Sequence, residues 1–276
     1  MNSNHLNQTL VSIYKELHQN PELSFEEYDT TKRLKELLAG ADVEILDVPI
    51  KTGLVARITG KSDSPVVALR CDIDALPIEE ETAAAYQSKN RGKMHACGHD
   101  FNMASILGAT LLLKEKQKEL NGTVKILFQP GEESSNGAEK VLKTNILSDV
   151  KAIFGIHATP DLKVGEVGIA EGAPTAAVDR FEIEVTGVGA HAAHPDQGVD
   201  PIVISAQIIT AFQSIISRNL DPFDTAVISI TSLHSGNTWN VIPTHANMVG
   251  TVRTLNAKTR EFIPNRMIFL MIYKKP

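Results

Sequence analysis

Asn121-Gly122-Thr123-Val124-Lys125-Ile126-Leu127-Phe128-Gln129-Pro130-Gly131-Glu132-Glu133 is the stretch on which the fold turns. Asn121-Gly122 stops a helix, and the apolar run Val124–Phe128 has the length of a buried strand. A long helix is expected upstream, from about Asp100 through Leu107 and Leu111–Leu113 to Leu120. Downstream, Pro130-Gly131 turns the chain and leaves two adjacent carboxylates, Glu132 and Glu133, at the strand's end. Helix, strand and acidic loop in that order point to an α/β sheet whose strand ends carry the chemistry.

On the N-terminal side, Leu6, Leu10, Ile13 and Leu17 recur at helix spacing until Pro21. Ser24 with Glu27 three residues later reads as a capping box opening a second helix to Gly40. Strands are expected at Val43–Val48, Gly53–Ile58 and Val66–Cys71. On the C-terminal side follow a helix at Ala138–Leu142 and a strand at Ile153–His157. The texture changes near Ala173-Pro174. From there the order is strand (Phe181–Val185), helix (Pro201–Ser217, opened by Asp200-Pro201), strands (Ala226–Thr231 and Met248–Thr254) and a helical start at Ala257. That β-α-β-β-α order suggests a ferredoxin-like unit. Residues 1–175 and 176–276 are therefore expected to form two domains.

The formal charge of −6 over 276 residues, without a basic block, argues against a nucleic-acid binder. No signal pattern or membrane-length apolar run is evident, so a cytoplasmic protein without a membrane partner is expected. The two cysteines, Cys71 and Cys97, do not suggest a disulfide framework. Cys97 is either a ligand or a small buried residue.

Chemistry-bearing side chains concentrate in Met94-His95-Ala96-Cys97-Gly98-His99-Asp100, in Glu132-Glu133 and in Gly155-Ile156-His157. Alternate side chains of extended backbone share a face, so Cys97 and His99 can reach one ion. A helix N-terminus and a cation both favour the thiolate that binds metal. Adjacent carboxylates can divide the work, one binding metal while the other takes a proton from water. His157 would add a ligand from a neighbouring strand. Each stretch alone has a plain alternative: a packed thiol, a solvated acidic loop, a polar strand end. Together they favour a divalent metal site.

Further segments carry a family resemblance. His18-Gln19-Asn20-Pro21-Glu22-Leu23-Ser24, Leu69-Arg70-Cys71-Asp72-Ile73-Asp74-Ala75-Leu76-Pro77, His95–Asp100, Phe128–Glu133, Gly187-Val188-Gly189-Ala190-His191-Ala192-Ala193-His194-Pro195, Asn240-Val241-Ile242-Pro243 and Gly250-Thr251-Val252-Arg253-Thr254 resemble the metal-dependent amidohydrolases. That group includes hippurate hydrolase, the plant auxin-conjugate hydrolases, aminoacylase and the carboxypeptidase G-type metallopeptidases. The resemblance implies an α/β catalytic domain, incomplete in this chain, with a ferredoxin-like α+β lid that often mediates dimerisation. It implies hydrolysis of the amide bond of N-acyl amino acids or related conjugates with two divalent ions (Zn, Mn or Co). Cys97, His99, Glu133 and His157 match metal ligands, and Glu132 the general base. His191 matches an oxyanion-stabilising lid histidine and Asn240 a substrate contact. From the residues alone, His191 and His194 also read as turn histidines, Asn240 as a strand terminator and Arg253 as a surface strand residue. Asp72 and Asp74 either orient a ligand histidine or cap the turn at Pro77.

Two departures stand out. Asn102 occupies a position where relatives often carry a second histidine. The tail from Met267 to Pro276 does not resemble the family's continuation, and no histidine follows His245. The expectation is a truncated chain of low activity, with an unpaired sheet edge and exposed apolar surface. The rival readings are a non-catalytic fragment that self-associates, and a dipeptidase or aminopeptidase of the same superfamily.

Overall fold

The computed structural model describes residues 3–134, 136–169 and 171–272. The last four residues of the unusual tail, 273–276, thus lie outside the described residues. The chain divides into two units, Met1–Lys163 and Val164–Pro276.

The first unit opens with helices α1 (Ser3–Gln19) and α2 (Tyr28–Gly40). Leu6, Ile13 and Leu17 of α1 and Leu34 and Leu38 of α2 are buried at helical spacing. The capping box expected at Ser24 and Glu27 does not form. Helix α2 starts at Tyr28, and Glu27 stands before it without a side-chain cap bond. The Ser24 hydroxyl donates instead to Asp74 Oδ2 at 2.7 Å, and Glu27 Oε1 accepts from the Gly131 amide at 2.8 Å. A buried amide left without a partner costs more than a helix end that water can reach, so the distant partner wins.

Five strands follow, interleaved with two helices: β1 (Glu44–Leu46), β2 (Leu54–Thr59), β3 (Val66–Asp72), α3 (His99–Glu115), β4 (Thr123–Gln129), α4 (Gly137–Leu142) and β5 (Val150–Gly155). The sheet order is β1-β2-β4-β3-β5. Strands β1 and β2 pair antiparallel, as do β2 and β4, whereas β4, β3 and β5 run parallel. Helix α3 is the crossover that parallel neighbours β3 and β4 require. All seven residues of β4 are buried, which both-face coverage demands. Val124, Ile126 and Phe128 face a core with Leu34, Leu38, Ile73, Met103 and Leu107, while Leu127 packs with Val55 and Val141. Each large apolar side chain so buried contributes about 1.5–3 kcal/mol. At the edge, β5 leaves Ile153 and Phe154 51% and 59% exposed. It ends at Gly155, two residues before the end expected from sequence, so Ile156 and His157 have left the sheet. The parallel strands place Asp72, Gln129 and Gly155 at one end, with Asp72 opposite Gln129 and Arg70 opposite Gly155. The loops leaving that end carry the polar side chains described below.

The second unit contains β6 (Ala177–Thr186), β7 (Ala190–His191), α5 (Pro201–Ser214), β8 (Ala226–Ser235), β9 (Val241–Ile242), β10 (His245–Thr254) and α6 (Ala257–Ile272). Its main sheet is antiparallel in the order β6-β10-β8, the β-α-β-β-α succession expected. Asp200 caps α5 as the sequence suggests, its Oδ1 accepting from Ile202 N at 2.8 Å, with Pro201 in the first turn. Phe212, Ile215, Met248 and Ile263 are fully buried at the centre. No helix among the described residues is long and apolar enough to cross a membrane.

Candidate metal centre

Cys97 sits in the turn leading into α3, and Gly98, with φ of 80°, makes the sharp reversal there. A side chain at 98 would also crowd the Ala158 methyl, 3.1 Å from its own Cβ. His99, the first residue of α3, is fully buried. Its Nδ1 lies 2.8 Å from the Asp74 backbone carbonyl, an acceptor, so Nδ1 carries the proton. That leaves the Nε2 lone pair free, 3.9 Å from Glu133 Oε1. His157 repeats the arrangement: Nδ1 donates to the Ala158 carbonyl at 2.7 Å, and Nε2 lies 3.4 Å from Cys97 Sγ. The two imidazoles stand edge to face, with ring centroids 5.6 Å apart.

Two groups of possible ligand atoms result, Cys97–His99–His157 and His99–Glu132–Glu133, and within each all atoms lie within 4.8 Å of one another. A thiolate and an imidazole on one tetrahedral zinc would stand about 3.5 Å apart, given typical bond lengths of about 2.3 and 2.0–2.1 Å. The Cys97–His157 separation of 3.4 Å matches that spacing. His99 Nε2 and Glu133 Oε1 are both buried and have no hydrogen-bond partner among the described residues. Buried polar atoms without partners are costly, and a cation between them would remove that cost. The donor set therefore fits divalent metal.

The surrounding charges point the same way. Burial, with Glu133, Glu132 and Asp72 close by, pushes the Cys97 thiol up to about 12. A cation inverts that balance and favours the thiolate. For His99, burial opposes protonation, but Asp74 and Asp72 outweigh it and raise its pKa. Burial lifts the Asp72 carboxyl to about 6 despite its ion pair with Arg70.

Asp74 ties the pieces together. Besides its carbonyl's bond to His99, its Oδ2 accepts from Ser24 Oγ at 2.7 Å and from Glu133 N at 2.9 Å. Burial works against its charge, yet these hydrogen bonds keep its pKa below the usual value. Glu133 is thus positioned through its own amide, and the preceding Gly131 amide is held by Glu27. Glu132, between them, is exposed.

Sequence reasoning did not assign site roles to Glu27, Ser24, His18 or Asn102. His18 Nδ1 meets Asp100 Oδ2 at 2.6 Å, and its Nε2 meets Glu80 Oε1 at 3.2 Å, bracing the start of α3. The His18–Ser24 motif hinted at the first two of these in chain order, Glu27 read only as part of a cap, and Asn102 stood out only as a departure from the pattern of relatives. His95 is buried with both ring nitrogens unpartnered among the described residues, and burial beside His99 and His18 drives its pKa down to about 3.

His191 and Asn240 belong to the second unit. There β7 pairs with β9, with His191 opposite Val241, and the Ala192 amide donates to the Asn240 carbonyl at 3.0 Å. His191 is exposed and its Nδ1 accepts from Ala193 N at 3.1 Å, with the His194 ring 5.7 Å away.

The sequence profile of peptidase family M20/M25/M40 matches residues 68–262. Over 259 residues the chain is 50% identical to an N-acetylcysteine deacetylase of Bacillus subtilis (strain 168), covering 94% of this chain and 68% of that protein. It is 39% identical over 259 residues to the N-acyl-L-amino acid amidohydrolase of Geobacillus stearothermophilus, covering 94% of this chain and 70% of that protein. Among solved structures, a dinuclear metal-binding peptidase of the M20 family from Bacillus subtilis superposes with a TM-score of 0.82 at 46% identity, covering 96% of this chain and 69% of that one. The chain spans 57–70% of the length of the curated relatives it matches.

Proposed function

The chain belongs to peptidase family M20/M25/M40, and we propose that it hydrolyses the amide bond of N-acyl amino acids or related small conjugates. The observation that carries this reading is the pair of ligand groups sharing His99, with His99 Nε2 and Glu133 Oε1 buried and unpartnered. Cys97, His99, Glu133 and His157 would hold divalent ions, two in a complete site, with zinc, manganese or cobalt as the candidates. Such ions polarise a carbonyl and make water a stronger nucleophile at neutral pH.

Glu132 is the base in this scheme. It takes the proton as the water oxygen attacks the amide carbon, and returns it to the departing nitrogen as the C–N bond breaks. Its exposed position beside the ligand loop suits a group that must meet substrate. His99, held by the Asp74 carbonyl, keeps its Nε2 lone pair available. Residues 1–175 serve as the catalytic part and residues 176–276 as a lid that also forms a homodimer. His191 there steadies the developing oxyanion, and Asn240 contacts the substrate; their adjacency through β7 and β9 supports a shared role. A cytoplasmic location belongs to the same reading, Cys71 and Cys97 both being free thiols.

The test is metal content of the purified chain by mass spectrometry, together with hydrolysis of N-acetyl amino acids and free-amine dipeptides. Bound metal with turnover of the N-acetyl compounds, lost in Glu132→Gln while metal is retained, is the expected result. Turnover of dipeptides alone would replace the reading with a peptidase. Absence of metal and of turnover would overturn it.

A further inference from the structure

Asn102 is fully buried on α3 beside the apolar Met103 and Ala104. Its Nδ2 has no partner among the described residues, so a polar side chain is kept in the interior at a cost. Among the described residues its side chain's one hydrogen bond runs from the Ala158 amide to Oδ1, at 3.0 Å. An amide N–H can only donate, so it is the carbonyl end of Asn102 that faces Ala158.

Ala158 is also the residue on which His157 depends, because His157 Nδ1 donates to the Ala158 carbonyl at 2.7 Å. The amide that Asn102 holds and the carbonyl that His157 uses flank one α-carbon. The Ala158 methyl also lies near Gly98, where an added Cβ would come within 3.1 Å of it. The Asn102 side chain is thus the group that holds the Ala158 amide. His157 itself is exposed, so packing alone does not hold its ring.

We infer that Asn102 is a positioning residue that sets the tautomer and direction of His157 through Ala158. A neutral histidine in water favours the proton on Nε2. Here the carbonyl acceptor beside Nδ1 reverses that preference and leaves Nε2 as the lone pair facing Cys97 Sγ, 3.4 Å away. Asn102 keeps that carbonyl in place. The inference rests on the reading of His157 as a ligand for its functional meaning, but its structural content does not.

The test compares Asn102→Leu, Asn102→Ala and Asn102→Asp, the last retaining an acceptor for the Ala158 amide. Imidazole nitrogen chemical shifts of the metal-free protein report the His157 tautomer, and Co(II) titration through the thiolate–cobalt absorption reports affinity. The natural chain and Asn102→Asp are expected to show His157 protonated on Nδ1. Asn102→Leu and Asn102→Ala are expected to move it towards Nε2 and to weaken Co(II) by about 10–100-fold, the usual effect of losing a residue that orients a ligand. Asn102→Ala adds no bulk and serves if the leucine chain does not fold. An unchanged tautomer and affinity in Asn102→Ala would overturn the inference while leaving the metal reading intact. A changed tautomer in a chain that takes up no Co(II) would uphold the positioning and overturn the metal reading.

Discussion

Gly137→Ala is the substitution whose effect the geometry defines most sharply. Gly137 opens α4, and helix propensity alone favours alanine there by about 1 kcal/mol. Space opposes it. A Cβ at 137 would lie 1.8 Å from the Pro130 carbonyl oxygen and 2.7 Å from that of Gly131. A Cβ does not approach a non-bonded oxygen closer than about 3.0 Å, so the Pro130 carbonyl or the start of α4 must retreat by about 1.2 Å. The displaced backbone leads directly into Glu132 and Glu133, and the Gly137 amide bonds the Gly131 carbonyl at 3.1 Å. Overpacking of this kind costs about 1–3 kcal/mol, which exceeds the propensity gain. A misplacement of about 1 Å in a reacting group costs about 100-fold in rate, or about 2.7 kcal/mol. For the proposed hydrolysis of an N-acetyl amino acid we therefore expect kcat/KM to fall about 100-fold, with a lower melting temperature and weaker metal retention. Gly40→Ala, where no atom lies within 4 Å of the added carbon, is the neutral control. An unchanged or raised melting temperature in Gly137→Ala, with kcat/KM within threefold of the natural chain, would refute the reasoning.

Asp74→Ala leaves the Ser24 hydroxyl and the Glu133 amide without their shared acceptor. Equilibrium dialysis should show metal affinity about 10–100-fold weaker, and Asp74→Asn, which keeps one acceptor oxygen, should fall between. His18 gives a pH signature: burial opposes its protonation, but the bonds to Asp100 and Glu80 prevail and raise its pKa above 6.5. Its contribution to stability is complete below that value and is lost as pH rises through the raised one. The metal-free protein should therefore melt at lower temperature as pH climbs above 6.5, and an identical slope in His18→Gln would count against the pairing. Phe212→Ala opens a void at a fully buried position of the second unit. Urea denaturation should show a loss of about 3–5 kcal/mol.

Local pattern makes much of the architecture legible in the chain itself. The stop at Asn121-Gly122, the apolar run into Gln129 and the Asp200-Pro201 helix opening depend on neighbours a few residues away, as hydrophobic period and capping do. The same is true of the inventory of thiol, imidazoles and carboxylates at Cys97, His99, Glu132, Glu133 and His157: their types are written in the chain. What each of them faces is not. The proton on His99 Nδ1 is set by a carbonyl 25 residues away, the Gly131 amide by a carboxylate 104 residues away, and Ala158 by an amide side chain 56 residues away. Ser24 and Glu27 show how local reasoning fails: their spacing fits a cap, yet both turn to buried partners at the sheet's end. A helix end can be satisfied by water, whereas a buried amide or carboxylate has only the partners that tertiary packing brings to it, and that difference decided where these side chains went.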